Sequence, residues 1–294
     1  MADNEILYCF RVEDPSGEFE PAASLLEALD LQFSSYFERG NMTVVHTVYS
    51  ESAEAAQAAL DTLNAALPDW KETMEVELFP GELFELEKSE WADAWKKYFK
   101  PVEISSGLLV TPAWITPDAK KYQKVLKIDT GMSFGTGQHP TTFYCLKKID
   151  DMSNRISSML DAGCGSGILS VAALLKGVKY VEGFDFDPDA VEMTAKNLEL
   201  NGFKREDMVL ECGDAGNYPG REEKYDLVCA NILGHLLITF RFNIASWVKP
   251  GGTLVLAGIL NRDFDLVSKS FTELGFYEVE RETDGEWTGG LFIR

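Results

Sequence analysis

The sequence predicts an α/β protein: a doubly wound, mostly parallel sheet preceded by a smaller α/β sandwich. Three observations predict this fold. From about residue 157, strand-like apolar runs alternate regularly with helix-like segments. Residues 1–94 contain 21 Asp and Glu against four Lys and Arg, so the composition changes after them. The length of 294 residues is sufficient for two domains.

The first 80 residues alternate between strand and helix patterns, which is typical of a ferredoxin-like sandwich. Strands are predicted at 5–12, 42–49 and 74–79, and helices at 21–31 and 52–67. We expect an acidic domain over 1–86, a linker helix over 87–104 and a second domain over 105–294. In the linker, Trp91, Trp95 and Phe99 recur every four residues and therefore share one helix face.

The second domain carries the regular strand–helix alternation of a parallel sheet. Strands are predicted at 108–115, 125–130, 157–163, 180–186, 208–214, 225–232, 251–259, 276–282 and 287–294, with helices at 168–175, 190–200, 236–247 and 264–274. No helix separates the last two strands, so we expect them to form a hairpin. That hairpin gives the sheet an antiparallel edge.

The composition argues against several classes of protein. Five scattered cysteines without a CxxC pair indicate reduced thiols, and three unclustered histidines argue against a catalytic metal. No apolar run approaches the roughly 20 residues of a membrane helix, and no signal-peptide pattern opens the chain, so we expect a cytoplasmic protein. The acidic first third disfavours direct nucleic-acid binding and favours a basic protein partner. The alternative is that its charge only makes a solvated surface.

A glycine cluster, LDAGCGSGIL, follows a predicted strand and opens a helix. Gly163, Gly165 and Gly167 give GxGxG spacing, whereas dinucleotide loops have GxGxxG. The loop therefore resembles the S-adenosylmethionine site of class I methyltransferases. Asp185 ends the next strand, 22 residues after Gly163, where a carboxylate can accept from both ribose hydroxyls.

Three further polar residues follow predicted strands at the edge where open α/β sheets bind ligands. Asp187 precedes Pro188 and is interpreted as a helix N-cap. Asp214 lies where adenine would bind, with a turn aspartate as the alternative of equal weight. Asn231 ends the fourth strand, and its amide can hold an amine so that the nitrogen lone pair faces a methyl group.

A second loop, FGTGQHPTT, precedes the glycine cluster. Pro140 can start a helix, so Thr142 falls in its first turn, where N–H groups and a hydroxyl can meet the cofactor carboxylate. Phe134 is expected near the methyl group and faces the substrate. His139 is a candidate base, with an N-cap or supporting role as the favoured alternative.

These motifs, together with EWADAWKKYFKPVEI, LLVTPAW and GFDFDPDAV, closely resemble the PrmA family, which methylates ribosomal protein eleven of the large subunit. The resemblance implies an N-terminal substrate-recognition domain and a class I methyltransferase domain that uses S-adenosylmethionine. It implies cofactor contacts at Thr142, Gly163, Asp185 and Asn231. It also implies a lysine N-methyltransferase acting on that ribosomal protein.

Three alternatives stay open at this point. A methyltransferase of the same fold could act on another basic protein or on a small molecule. A nicotinamide oxidoreductase would need different glycine spacing and a hydride-transfer pair such as Tyr-Lys, and neither is evident. A non-catalytic module that binds the cofactor or a ribosomal partner would not require Asn231.

Overall fold

The computed structural model describes residues 6–17, 19, 21–38, 43–87, 100–129 and 137–294. The chain divides into two compact units, residues 1–98 and 99–294. Trp91, Trp95 and Phe99 of the predicted linker helix lie outside the described residues, and so does Phe134. Within the described ranges, no helix is both long enough and apolar enough to cross a lipid bilayer.

In the part of the first unit that the structure describes, an antiparallel sheet packs against two helices. Its elements are β1 (Ile6–Asp14), α1 (Ala22–Ala28), β2 (Phe33–Glu38), β3 (Thr43–Ser50), α2 (Ala53–Met74), β4 (Phe79–Pro80) and β5 (Phe84–Glu87). The strand order is β2-β3-β1-β4, and β5 also pairs with β1. Phe10 and Val12 of β1 pack with Leu26 of α1 and with Leu63 and Trp70 of α2. This succession and order are those of the predicted ferredoxin-like sandwich.

Several predicted boundaries in the first unit are wrong. The helix predicted to end at residue 67 continues through Pro68 to Met74, because Trp70 of its last turns is buried in the core. Of the predicted strand 74–79, only Phe79 is in a strand, the two-residue β4 that it forms with Pro80. Strand β2 was missed, since Ser34 and Ser35 interrupt its apolar alternation and only pairing with β3 defines it.

In its described residues, the second unit contains a small sheet, a large sheet and six α-helices. The strands are β6 (Val102–Ser105), β7 (Leu108–Pro112), β8 (Lys124–Ile128), β9 (Ser158–Ala162), β10 (Tyr180–Asp185), β11 (Val209–Cys212), β12 (Tyr225–Asn231), β13 (Val248–Leu260), β14 (Tyr277–Asp284) and β15 (Trp287–Ile293). The helices are α3 (Pro140–Met152), α4 (Ile168–Leu175), α5 (Pro188–Leu200), α6 (Gly234–Thr239), α7 (Arg241–Trp247) and α8 (Asn261–Thr272).

The large sheet has the order β11-β10-β9-β12-β13-β15-β14. Strands β9 to β13 pair in parallel, and β15 pairs antiparallel with both β13 and β14. Both faces are covered: Leu227 and Cys229 of β12 pack into one apolar cluster, and Val228 and Ala230 pack into the other. The predicted doubly wound sheet with an antiparallel C-terminal edge is confirmed.

Two details of the second unit differ from expectation. The helix predicted over 236–247 is two helices, α6 and α7, which meet at Phe240. Strand β6 was not predicted, and it occupies the end of the predicted linker. It forms the small sheet β6-β7-β8, which packs Leu108 and Leu126 into the same apolar cluster as Leu146 of α3.

One carboxylate joins the amino ends of three strands of the large sheet, β9, β12 and β13. Asp226 Oδ2, at the start of β12, accepts the N–H groups of Ser157 at 2.7 Å and Ser158 at 2.9 Å. Lys249 of β13 forms an ion pair with the other oxygen of Asp226. Three of the polar residues predicted to form a site, Asp185, Asp214 and Asn231, lie at or just beyond the opposite, carboxyl ends of strands in this sheet.

Candidate active site

The glycine cluster forms a tight loop between β9 and α4. Gly163, Gly165 and Gly167 all have left-handed backbone conformations, with φ of 78°, 54° and 75°. The N–H groups of Gly163 and Cys164 donate to the carbonyl of Phe184 in β10, at 2.9 and 3.0 Å. A Cβ on Gly163 would lie 2.7 Å from Ile232 Cγ2, so the glycine allows close approach to the end of β12.

Asp185 joins this loop to the tip of β10. Its side chain is only 7% exposed. Oδ2 accepts the Gly165 N–H at 2.8 Å, and Oδ1 accepts the Asp187 N–H at 3.1 Å. Each carboxylate oxygen has a second lone pair, so Asp185 can still accept from two hydroxyl groups. The structure thus brings together Gly165 and Asp185, which are 20 residues apart.

The other two aspartates have local partners. Asp187 is the N-cap of α5, as predicted, and accepts the Asp189 N–H at 2.9 Å. Asp214 lies two residues beyond β11, is exposed, and accepts the Gly216 N–H at 2.6 Å. This geometry is that of the turn aspartate, the alternative weighed against adenine binding. A cofactor contact by Asp214 stays a prediction.

Asn231 and Thr142 meet at the carboxyl end of β12. Asn231 Nδ2 donates to Thr142 Oγ1 at 3.4 Å, and Thr142 lies in the first turn of α3, which begins at Pro140 as predicted. Asn231 Oδ1 is buried and has no hydrogen-bond partner among the described residues. An unsatisfied buried acceptor costs about 1–3 kcal/mol, so this oxygen is suited to a donor supplied by a ligand.

His139 is the N-cap of α3. Its Nδ1 lies 2.7 Å from Thr141 Oγ1 and 3.4 Å from the Thr141 nitrogen, and its ring centroid is 5.0 Å from that of Trp287. Burial lowers the pKa of His139 from 6.5 to about 4, although the charge of Asp284 acts in the opposite direction. The imidazole is therefore uncharged at neutral pH. This geometry favours the N-cap role over that of a base.

Asp161 was not singled out from the sequence. It is buried at the end of β9, and its Oδ2 accepts both the N–H and the hydroxyl of Ser170 in the first turn of α4, at 3.1 and 2.7 Å. Burial raises the pKa of Asp161 from 3.8 to about 7. An acidic residue inside the apolar run SSMLDAG was the available signal. Asp161 fixes the start of α4, and with it the far end of the glycine loop.

Trp287 is a second residue that was not predicted in the site. It begins β15, and because β15 is antiparallel, its first residue lies at the carboxyl edge, paired with Leu260. Trp287 borders two cavities of about 190 and 210 Å³, one beside Thr141 and one beside Leu233.

In the described ranges, no group of three or more His, Cys, Asp or Glu residues could hold a metal ion.

These features fit S-adenosylmethionine. The left-handed glycines leave backbone that a ligand can approach closely, and Asp185 keeps lone pairs for hydroxyl groups. The first turn of α3 presents N–H groups and Thr142, which suit a carboxylate. The unsatisfied Asn231 Oδ1 suits an N–H donor. Thr142, Gly163, Gly165, Asp185 and Asn231 are therefore the residues that could hold the cofactor.

Comparison with protein families decides the assignment. The sequence model of the family described as ribosomal protein L11 methyltransferase (PrmA) matches residues 20–291. This chain belongs to the PrmA family. The match confirms the family resemblance, the fold class and the S-adenosylmethionine cofactor that the sequence predicted.

Individual PrmA relatives are similar to most of this chain. A ribosomal protein L11 methyltransferase of Streptococcus agalactiae serotype V is 35% identical over 208 residues, which are 71% of this chain and 65% of that protein. One from Streptococcus pneumoniae strain D39 is 34% identical over 257 residues, 87% of this chain and 79% of the relative. The matched part of the Streptococcus agalactiae protein is thus just under two thirds of its length.

A solved structure is also similar. The crystal structure of ribosomal protein L11 methylase from Lactobacillus delbrueckii subsp. bulgaricus superposes with a TM-score of 0.60 at 27% identity. The match covers 67% of this chain and 99% of that one. It agrees with the class I methyltransferase fold found here.

Proposed function

We propose that this protein is a methyltransferase that moves methyl groups from S-adenosylmethionine to amine nitrogens of ribosomal protein L11, lysine side chains in particular. The observation that carries the proposal is the pair formed by Asn231 and Thr142. Among the described residues, one buried carbonyl oxygen, Asn231 Oδ1, stays without a donor at the carboxyl edge of the sheet. An amine N–H is a donor that this oxygen can accept.

In methyl transfer from S-adenosylmethionine, the main task of the protein is to position the reactants. The cofactor supplies a methyl group that its sulfonium already activates, so the chain must orient a neutral amine. Asn231 Oδ1 can accept one amine hydrogen and so direct the nitrogen lone pair. A free lysine has a pKa of about 10.4, so desolvation and proton loss must precede attack. His139, with its pKa near 4, is a weak acceptor for that proton, so we assign proton loss to water.

Membership of the PrmA family and the similarity to ribosomal protein L11 methyltransferases support ribosomal protein L11 as the substrate. The charge of the first third supports a basic partner: residues 1–94 carry −17 of the chain's net −21. We propose that this unit captures the substrate and that it does not bind nucleic acid directly, because its field repels phosphates. A cytoplasmic location is proposed with it. Membership of the PrmA family leaves the nicotinamide oxidoreductase alternative without support.

The decisive experiment identifies the methylated atom. The full-length protein is incubated with methyl-labelled S-adenosylmethionine and the separated proteins of a large ribosomal subunit, and the labelled peptide is sequenced by mass spectrometry. Label on lysine side chains of L11 is the expected result, and Asn231→Ala serves as the inactive control. Label on other basic proteins, or only in a small-molecule fraction, would show that the substrate is one of these and not L11.

A second experiment tests capture by the acidic unit. Glu54, Asp61 and Glu72 are exposed on α2, and their joint change to Gln, Asn and Gln removes three negative charges. The Michaelis constant for L11 should rise and depend less on salt, because exposed charges are screened within about 8 Å at physiological ionic strength. The matched control neutralises Glu192, Glu199 and Glu206 in the second unit, three carboxylates that are also exposed. Equal effects of the two variants would make the acidic surface a solvated face only.

A further inference from the structure

One face of α5 buries polar side chains beneath the glycine loop. Thr194 and Asn197 stand three residues apart, so they share a helix face, and neither has any exposed surface. Buried polar groups in native proteins are almost always hydrogen-bonded. The partners of these two residues therefore show which backbone segments this face of α5 holds.

Asn197 joins two segments that are far apart in sequence. Its Nδ2 donates to the carbonyl of Asp129 at 2.8 Å and to the carbonyl of Ser166 at 2.8 Å. Its Oδ1 accepts the Asp129 N–H at 2.8 Å. Ser166 belongs to the glycine loop, and Asp129 follows β8 at the point where the chain runs on toward the loop FGTGQHPTT. One buried amide thus bonds both to the glycine loop and to the backbone at the end of β8.

Thr194 holds the same glycine loop one turn earlier in α5. Its Oγ1 donates to the carbonyl of Gly165 at 3.0 Å. Its side chain also fills the space beside Gly167, where a Cβ would lie 2.6 Å from Thr194 Cγ2. The carbonyls of Gly165 and Ser166 are therefore held from below by successive residues of one helix face.

Asn201, four residues after Asn197, makes the same kind of contact without reaching the glycine loop. Its Oδ1 accepts the Lys127 N–H at 2.8 Å, and its Nδ2 donates to the Lys127 carbonyl at 2.6 Å. Asn201 and Asn197 therefore both pair with the backbone of residues 127–129. Only Asn197 also bonds to Ser166, so the two residues provide a natural comparison.

We propose that Asn197 is a positioning residue for cofactor binding: it fixes the distance between the glycine loop and the end of β8. The proposal rests on the proposed function, since the site it positions is the S-adenosylmethionine site. The physical reason is that separation of the two segments would break at least one bond to a buried amide. Such a group has no water to replace the lost partner, so the separation is costly.

The test compares Asn197→Ala with Asn201→Ala in the full-length protein. The dissociation constant for S-adenosylhomocysteine is measured by calorimetry. Asn197→Ala should raise it about tenfold, as expected for loss of bonds to a buried group, whereas Asn201→Ala should change it by less than about twofold. The Michaelis constant for S-adenosylmethionine should rise with it, and kcat at saturating cofactor should stay within about twofold of the unaltered enzyme. A general loss of structure would not produce that split.

A measurement on the unaltered protein covers the case in which Asn197→Ala does not fold. S-adenosylhomocysteine should slow hydrogen exchange of the Asp129 amide more than that of the Lys127 amide, because only Asp129 shares a side-chain partner with the glycine loop. Equal protection of both amides, or equal dissociation constants for the two variants, would overturn the inference. If the unaltered protein binds no S-adenosylhomocysteine, the proposed function itself is what fails.

Discussion

Substitution of Asp185 by asparagine should weaken cofactor binding strongly while leaving the fold in place. Both carboxylate oxygens already accept backbone N–H groups, from Gly165 at 2.8 Å and Asp187 at 3.1 Å. Asparagine keeps one acceptor oxygen but turns an NH2 group toward one of those N–H groups. It also removes the charge that would strengthen a bond to a ribose hydroxyl. Loss of a charged acceptor costs about 1.5–3 kcal/mol, or about a 10- to 150-fold rise in the dissociation constant.

The assay is calorimetric titration of Asp185→Asn with S-adenosylhomocysteine, with thermal unfolding measured in parallel. The matched control is Asp187→Asn, because Asp187 lies in the same loop but caps α5 through Asp189, and asparagine is also a good N-cap. The control should bind the ligand normally. If Asp185→Asn binds as tightly as the control, the carboxylate does not contact the cofactor, and its role is only to order the glycine loop.

Three further outcomes are expected. Asn231→Ala should lower turnover about a hundredfold while changing cofactor affinity much less, as separate kinetic and binding measurements would show. His139→Asn should keep the N-cap but remove a titrating group. Burial lowers the pKa of folded His139 to about 4, so below pH 6.5 the unfolded chain takes up the proton first and the folded state loses stability. Urea unfolding should show that the original protein loses about 3 kcal/mol of unfolding free energy relative to the variant between pH 6.5 and 4. Gly167→Ala should lower the free energy of unfolding by about 2–5 kcal/mol, since it adds a contact with Thr194 to a left-handed φ. Gly177→Ala should lower it by only about 1–2 kcal/mol, because Gly177 has a φ of 89° but no described atom within 4 Å of an added Cβ.

The sequence predicted the elements whose signals are local. The glycine spacing, the proline at the start of α3 and the aspartate before Pro188 each predicted a turn or cap that the structure contains. The apolar runs predicted the strands of the large sheet, because strands buried on both faces are continuously apolar. The antiparallel edge followed from the missing helix between β14 and β15.

Elements defined by tertiary contacts were beyond reach of these patterns. Strand β2 exists because β3 pairs with it, and α2 passes Pro68 because Trp70 reaches the core. In the candidate site, the sequence predicted that Asn231 and Thr142 both contact the cofactor, but it did not predict their hydrogen bond to each other. The bonds of Asn197 could not be predicted, because a side chain's choice of distant carbonyls depends on how α5 packs against β8.

The reversed direction of β15 has a practical consequence for engineering the edge of the sheet where the candidate site lies. Residues 284–287 form the turn of a hairpin, so they reach the carboxyl edge of the sheet without a crossover helix. In the parallel part of the sheet, a longer loop must be accommodated between a strand and its crossover helix. A hairpin tip tolerates insertion more readily where it is exposed, as it is at Asp284 and Gly285. A directed-evolution library confined to the Asp284–Trp287 tip would therefore vary the wall of both cavities while leaving the cofactor loops in their original sequence.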